Sequence, residues 1–193
     1  MQAISPAIRA SYAKTVVATM KLCGAEERSQ LLARLDPGVR ASIREYSLLD
    51  WMAAEEFARL VQLVLDTIGP ARAKVFWRVN LLNSLERTLL RPLRLGAIAL
   101  YGKSPGSLLR MTPQAWDLVS RNCGRCRTSE EPGGMRLRFE DLPQEVCNPG
   151  MLALWSGGSE SCIERMKFVG HADAAFDAPG VALVRVQWKA PPP

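Results

Sequence analysis

Asn148-Pro149-Gly150-Met151-Leu152-Ala153-Leu154-Trp155-Ser156-Gly157-Gly158-Ser159 opens the stretch whose reading decides the fold, residues 148–188. Asn accepts hydrogen bonds well at a helix N-cap, and Pro149 has its φ preset for the first turn. Met151, Leu152, Leu154, Trp155, Cys162, Ile163 and Met166 keep an approximately helical spacing. Two mid-helix glycines cost about 1 kcal/mol each relative to Ala. Either the helix breaks at Gly157-Gly158, or another backbone comes close to it. After Arg165 the period changes to two. Phe168, Gly170, Ala172, Ala174 and Phe176 alternate with other residues, and Asp177-Ala178-Pro179-Gly180 has turn chemistry. Over residues 181–188, Ala182, Val184, Val186 and Trp188 share one strand face, opposite Leu183, Arg185 and Gln187. The stretch predicts a helix followed by an antiparallel hairpin with one face covered by helices.

A second hairpin is predicted just before it. Residues 125–129 and 135–139 flank Pro132-Gly133-Gly134, with Leu137 and Phe139 on one face and Arg136 and Arg138 on the other. Helical patterns fill the earlier chain. Residues 5–23 start at Ser5-Pro6 and carry Ile8, Tyr12, Val16, Met20 and Cys23. Residues 25–35 carry Leu31, Leu32 and Leu35, with Asp36-Pro37 beginning a further turn. Residues 51–68 are cleanly amphipathic through Phe57, Leu60, Val61, Val64, Leu65 and Ile68. A long helix is expected over 72–91, with Val75, Val79, Leu82, Leu85 and Leu89 as its stripe and Pro92 ending or kinking it. Helix is also expected over 95–101 and 105–122. The order implies one α+β domain, residues 1–189, with a helical layer on a mostly antiparallel sheet of about four strands. The Pro-rich residues 190–193 are expected to be a disordered tail.

The chain has 193 residues, 48% hydrophobic and 23% charged, ordinary for a soluble globular protein. It shows neither a signal-peptide pattern nor a transmembrane run, so a cytoplasmic protein is expected. The net charge of +6 is concentrated mid-chain: residues 70–103 carry seven basic and one acidic side chain. Five cysteines form no regular framework and are expected to be free thiols.

Several features together resemble a family of uncharacterised, domain-sized myxobacterial proteins. They are Leu35-Asp36-Pro37-Gly38-Val39-Arg40, the segment 48–53 around Trp51, Ser104-Pro105 leading to Leu108-Leu109 and Trp116, and the closing helix and hairpin ending at Trp188. Their layout is similar to the superfamily of vesicle-tethering (TRAPP) subunits, vinyl-reductase-type ligand-binding domains and haem nitric-oxide-binding domains. The resemblance spans most of residues 5–189. It implies a TRAPP-like α+β fold, helices that pair between subunits and, in some members, a hydrophobic slot for a small molecule or acyl chain. Two departures matter. The vinyl-reductase type places a Gly-Asp pair and a Cys in the last hairpin, where this chain has Phe176-Asp177-Ala178-Pro179-Gly180. Haem-binding members need a helical His and a Tyr-x-Ser-x-Arg motif; here the single His, His171, falls on a predicted strand. No haem or other cofactor is therefore expected.

Cys123-Gly124-Arg125-Cys126 is the sharpest motif. A redox CxxC sits at a helix N-terminus, whereas this one follows a predicted helix. As a metal site, Cys123 and Cys126 would need partners from Cys147, Cys162 or His171. No metal is expected, and the cysteines read as structural. His171 with Asp173 reads as a strand-surface pair. Arg72, Lys74, Arg78, Arg87, Arg91 and Arg94 with Trp77 could hold phosphates, but on a helix they spread around several faces. Trp77, Tyr101, Trp116 and Trp155 are the candidate walls of a ligand slot.

The leading expectation is a non-enzymatic binding or signalling module. It would be a homodimer through residues 51–68 or 72–91, offering a partner surface or an apolar slot. One alternative is a nucleic-acid-associated protein using the basic segment 72–94. The other is a thiol- or metal-dependent enzyme centred on Cys123 and Cys126.

Overall fold

In the computed structural model of the chain, which describes residues 5–47, 49–86 and 90–190, Asn148 does cap the last helix. Its side chain accepts from the Met151 N–H at 3.0 Å, and Pro149 occupies the first turn of α9, Pro149–Arg165. To follow α9 with labels in chain order, the earlier helices are α1 (Ala10–Thr19), α2 (Ala25–Arg34), α3 (Pro37–Glu45), α4 (Ala54–Ile68), α5 (Pro70–Leu85), α6 (Arg91–Tyr101), α7 (Pro105–Leu109) and α8 (Thr112–Val119). The strands are β1 (Ala7–Arg9), β2 (Trp51–Ala53), β3 (Ser120–Arg121), β4 (Arg125–Glu131), β5 (Gly134–Glu140), β6 (Val169–Ala178) and β7 (Val181–Lys189).

The α+β architecture is the one expected. Its main sheet is antiparallel in the order β4-β5-β7-β6. Leu137 faces Val184, and Val186 faces Ala172, so one side of the sheet is apolar across β5, β7 and the middle of β6. Met135, Leu137, Phe139, Ala172, Ala182, Val184 and Val186 are all buried there. α9 packs on β6 and β7, and α4 and α5 pack on α9 from the other side. The helix does not break at its glycines. A Cβ on Gly157 would stand 2.2 Å from the Lys74 carbonyl oxygen of α5, and one on Gly150 would stand 2.8 Å from the α4 backbone at Gln62. Backbone contact with α4 and α5 is what those residues allow.

The helix–strand junction is tied by polar side chains. Lys74 reaches from α5 to Glu160 of α9 at 2.8 Å and donates to the Ala172 carbonyl of β6. Ser156 donates to the same carbonyl at 3.1 Å, and Glu160 accepts from the Ala172 N–H at 3.1 Å. Both outward backbone groups of Ala172 are thereby satisfied.

Other expectations need correction. Beyond the four-stranded sheet there is a three-stranded one, β2-β1-β3. The first helix begins at Ala10, because residues 7–9 pair with both 51–53 and 120–121 and the Ala10 N–H donates to Asp50. For the same reason the helix expected over 51–68 starts at Ala54. The long helix expected over 72–91 ends at Leu85, and Pro92 lies in the first turn of α6, where a missing N–H costs nothing. Arg87 and Leu89 fall outside the described residues, as do Leu48 and most of the tail expected at 190–193.

The buried side of α5 also differs. Ala73, Phe76, Trp77, Asn80, Ser84 and Leu85 face inward, and Val75 is 47% exposed. Asn80 is acceptable there because its amide donates to Thr19 Oγ1 at 3.2 Å, and Ser84 donates to the Asn80 carbonyl at 2.9 Å. The inward faces of α4 and α5, nominated for subunit pairing, are occupied within the chain. Among the described residues no helix is long and apolar enough to cross a membrane.

The Gly157 contact yields a test. Gly157→Val is expected to lower the unfolding free energy by about 1–3 kcal/mol or more, the cost of overpacking. Gly158→Ala, where a Cβ meets only the Leu81 side chain at 3.4 Å, is expected to be neutral or stabilising by up to about 1 kcal/mol. Urea denaturation of both variants measures the contrast.

Candidate functional site: an apolar cavity among three tryptophans

Between the helices and the apolar side of the sheet lies a cavity of about 130 Å³. Its wall combines Tyr12 of α1, Trp77 and Asn80 of α5, Leu93 and Arg94 of α6, Leu109 of α7, Trp116 of α8, Phe139 of β5, and Trp155, Gly158 and Cys162 of α9. The elements holding these side chains are separated by up to 150 positions in sequence, and α9 supplies the floor that brings them together.

Phe139 and Trp155 stack, with ring centres 4.6 Å apart and planes 15° from parallel. Trp116 meets both edge-on, at 5.3 Å from Phe139 and 6.2 Å from Trp155. Such edge-to-face pairs add about 0.5–1.5 kcal/mol beyond the area they bury. Trp77 is edge-on to Phe76 at 5.1 Å. The indole N–H groups of Trp77, Trp116 and Trp155 are all buried and, among the described residues, find no hydrogen-bond acceptor.

The wall is uncharged in effect. Arg94 is committed to the Leu85 carbonyl and to Glu86, at 3.3 Å and 3.1 Å. Burial pushes the Tyr12 phenol well above its ordinary range and the Cys162 thiol up to about 12, so both keep their protons at neutral pH.

Of the four residues nominated for a ligand slot, Trp77, Trp116 and Trp155 line this cavity. Tyr101 does not. It lies at the surface, 47% exposed, under the Arg110 guanidinium. Tyr12, Leu93, Phe139 and Cys162 escaped the sequence reading. The small pair Gly158-Ser159 beside Trp155 was the signal available for part of this wall.

The other candidates are dispersed. Cys123 lies in the turn between β3 and β4, its thiol directed at the Ala7 and Arg121 carbonyls. Cys126 is on β4 opposite Phe139. Burial raises the two thiols from 9.0 to about 11 and about 12, which leaves neither as a thiolate nucleophile at neutral pH. His171 sits on the solvent side of β6, its Nε2 3.6 Å from Asp173, with two strands between β6 and the strand of Cys126. Among the described residues no three His, Cys, Asp or Glu side chains gather around a possible metal position.

In the basic segment, Arg72 pairs with Glu27, Lys74 with Glu160, and Arg94 with Glu86. Arg78 reaches Glu164 at 3.1 Å, a charge contact in which Nε is not aligned as a hydrogen-bond donor. Trp77, the residue nominated for base stacking, is buried. These side chains do not form an open cationic stripe.

No family model matches the chain, and neither does any curated protein. Solved H-NOX structures share its fold. A mutant H-NOX protein from S. oneidensis in the Fe(II) ligation state aligns over 96% of this chain and 98% of its own, with a TM-score of 0.64 and 13% identity. A mutant Fe(II) unliganded H-NOX protein from K. algicida aligns over 94% and 97%, with a TM-score of 0.64 and 10% identity. A T. tengcongensis H-NOX mutant gives 93% and 96%, with a TM-score of 0.59 and 12% identity. At such identities the likeness establishes an H-NOX-like α+β fold, and it falls on the haem nitric-oxide-binding branch of the resemblance drawn above.

The buried thiols have a consequence for stability. A proton held more tightly in the folded state contributes stability that is present below the unfolded pKa and lost as pH rises through the folded one. The unfolding free energy is therefore expected to fall between about pH 9 and pH 12. Replacing Cys123, Cys126 and Cys162 by Ala is expected to flatten that decline, as followed by urea titration at each pH.

Proposed function

We propose that this chain is a non-enzymatic cytoplasmic binding module that holds a small apolar molecule in the cavity among Trp77, Trp116 and Trp155. The observation that carries this reading is the cavity itself: apolar, walled by seven elements, and on the inner side of an H-NOX-like fold. An engineered apolar cavity of roughly 150 Å³ binds benzene, so about 130 Å³ suits a ligand of that size. Five free thiols agree with a reducing compartment.

The fold raises the question of haem, and the residues answer against it. The wall has no histidine, and Tyr12, Met111 and Cys162 are its residues of axial-ligand type. The volume is well under the roughly 300–1,000 Å³ that drug-sized ligands occupy. Arg94 is the wall's cationic side chain and is already paired, so two propionates would lack partners.

In this reading α6 links occupancy to output. Leu93 and Arg94 line the cavity, while Leu95, opposite Leu93 on the helix, and Leu100, near its C-terminal end, belong to its outer surface at 50% and 71% exposed. A ligand that favours one position of α6 shifts the affinity of that outer surface for its partner, because only differential binding moves an equilibrium. The partner assigned is a second copy of the chain, in place of the pairing first sought on α4 or α5; open space at Gly96 favours a close helix approach there. The myxobacterial, vesicle-tethering and vinyl-reductase-type relationships belong to the same reading and rest on the sequence features quoted for them.

Benzene tests the cavity. In excess of its Kd it is expected to raise the melting temperature of the wild-type protein, with about 2.7 kcal/mol of stabilisation at 100 times Kd. Gly158→Leu, which fills the cavity, is expected to fold and show no such shift. An unchanged melting temperature in the wild type would overturn the reading. For the assembly, light scattering should show a dimer that Leu100→Glu converts to a monomer; a monomeric wild type overturns that part alone.

A further inference from the structure

We infer that the molecule this cavity is built for is a small uncharged carbonyl compound, whose oxygen accepts hydrogen bonds from the tryptophan side chains of the wall. The inference rests on the cavity reading above and adds the ligand's chemistry.

Nearly all buried polar atoms in native proteins have a hydrogen-bond partner. Here three indole N–H groups, from three different helices around one cavity, have none among the described residues. Trp77, Trp116 and Trp155 are each more than nine-tenths buried. Phe would supply a similar apolar surface at these positions without an orphaned donor. Ring contacts satisfy the indoles only in part. Trp116 is edge-on to Phe139 and Trp155, but an N–H over a π face is weaker than an N–H directed at oxygen. A water held by two of these donors would satisfy them but leave the apolar remainder of the cavity without contacts, which a carbonyl compound with an apolar body supplies.

The remaining chemistry narrows the ligand class. Arg94 is taken by Glu86 and Leu85, so an anion would enter without a counter-charge. A bare hydrocarbon would leave the donors as they are. A neutral carbonyl presents two lone pairs on one oxygen, so a single acceptor serves two donors, and Trp116 and Trp155 are neighbours in the wall, with ring centres 6.2 Å apart. The volume limits the rest of the molecule to about the size of a single ring.

Cyclopentanone and methylcyclopentane form a matched pair, equal in heavy atoms and differing in the acceptor. Titration calorimetry on the wild-type protein is expected to give at least tenfold tighter binding of the ketone. Trp116→Phe and Trp155→Phe are each expected to reduce that preference while retaining methylcyclopentane. Should either variant fail to fold, the indole N–H resonances of the wild type give the same information. Those of Trp116 and Trp155 should move downfield with cyclopentanone and stay in place with methylcyclopentane. Equal or tighter binding of the hydrocarbon, static indole resonances, or a ketone preference that survives both substitutions would overturn the acceptor inference and leave the cavity reading standing. Binding of neither compound would overturn the cavity reading itself.

Discussion

Backbone contact between α9 and the pair α4 and α5 is the constraint on which the rest of this molecule depends. Gly150 and Gly157 remove the side chains that would hold the helices apart. With that spacing α9 becomes the middle layer, helices on one side and the main sheet on the other. One turn before Gly157, Ala153 and Leu154 lead into Trp155, which stacks on Phe139 of β5. One turn after it, Ser161 and Cys162 are buried. The helix thus couples the N-terminal helices to the C-terminal hairpin through atoms that have little room to give. A close-packed interior of this kind transmits small displacements instead of absorbing them.

Much of this was legible in the chain, and the parts that were not have physical reasons. Strand alternation in 181–188 and 135–139 showed which side of each strand turns inward, because a side-chain period of two has only one alternative. Asn148-Pro149 marked a helix start through capping chemistry alone. α5 was misread for a different reason. Val75, Val79 and Leu82 make one plausible apolar row, but the inward face uses Ala73, Trp77, Asn80 and Ser84, chosen by what α9 and α1 offer them. The three-residue strands β1 and β2 carry too few side chains to show a period, and their pairing joins residues about 45 positions apart. The cavity was visible only through its tryptophans. Its shape depends on where α1, α6 and β5 meet, which no local pattern encodes.

Charge has a structural part here more than a recognition part. The surplus of basic residues in 70–103 read as charges spread over several helix faces, and Arg72, Lys74, Arg78 and Arg94 each lie against a carboxylate. On the solvent side of the main sheet, Arg125, Arg127 and Arg138 converge on Glu140, and hydrogen bonding to Arg138 holds that carboxyl below its ordinary range. Exposed pairs of this type are individually worth little. Their consequence is that Arg72, Lys74, Arg78 and Arg94 stand beside carboxylates and do not form a row of bare cations.

The Lys74, Ser156 and Glu160 contacts to Ala172 have an effect beyond fastening helix to strand. β6 is an outer strand of the main sheet, and an outer strand with vacant peptide groups is a template on which foreign chains add and aggregates grow. At Ala172 both groups that a newcomer would need are taken, by side chains anchored in α5 and α9. A ribbon arriving along that border would have to strip away an ion pair before forming its own ladder past this point. The same three residues that join the layers therefore help to keep further strands from adding to this border.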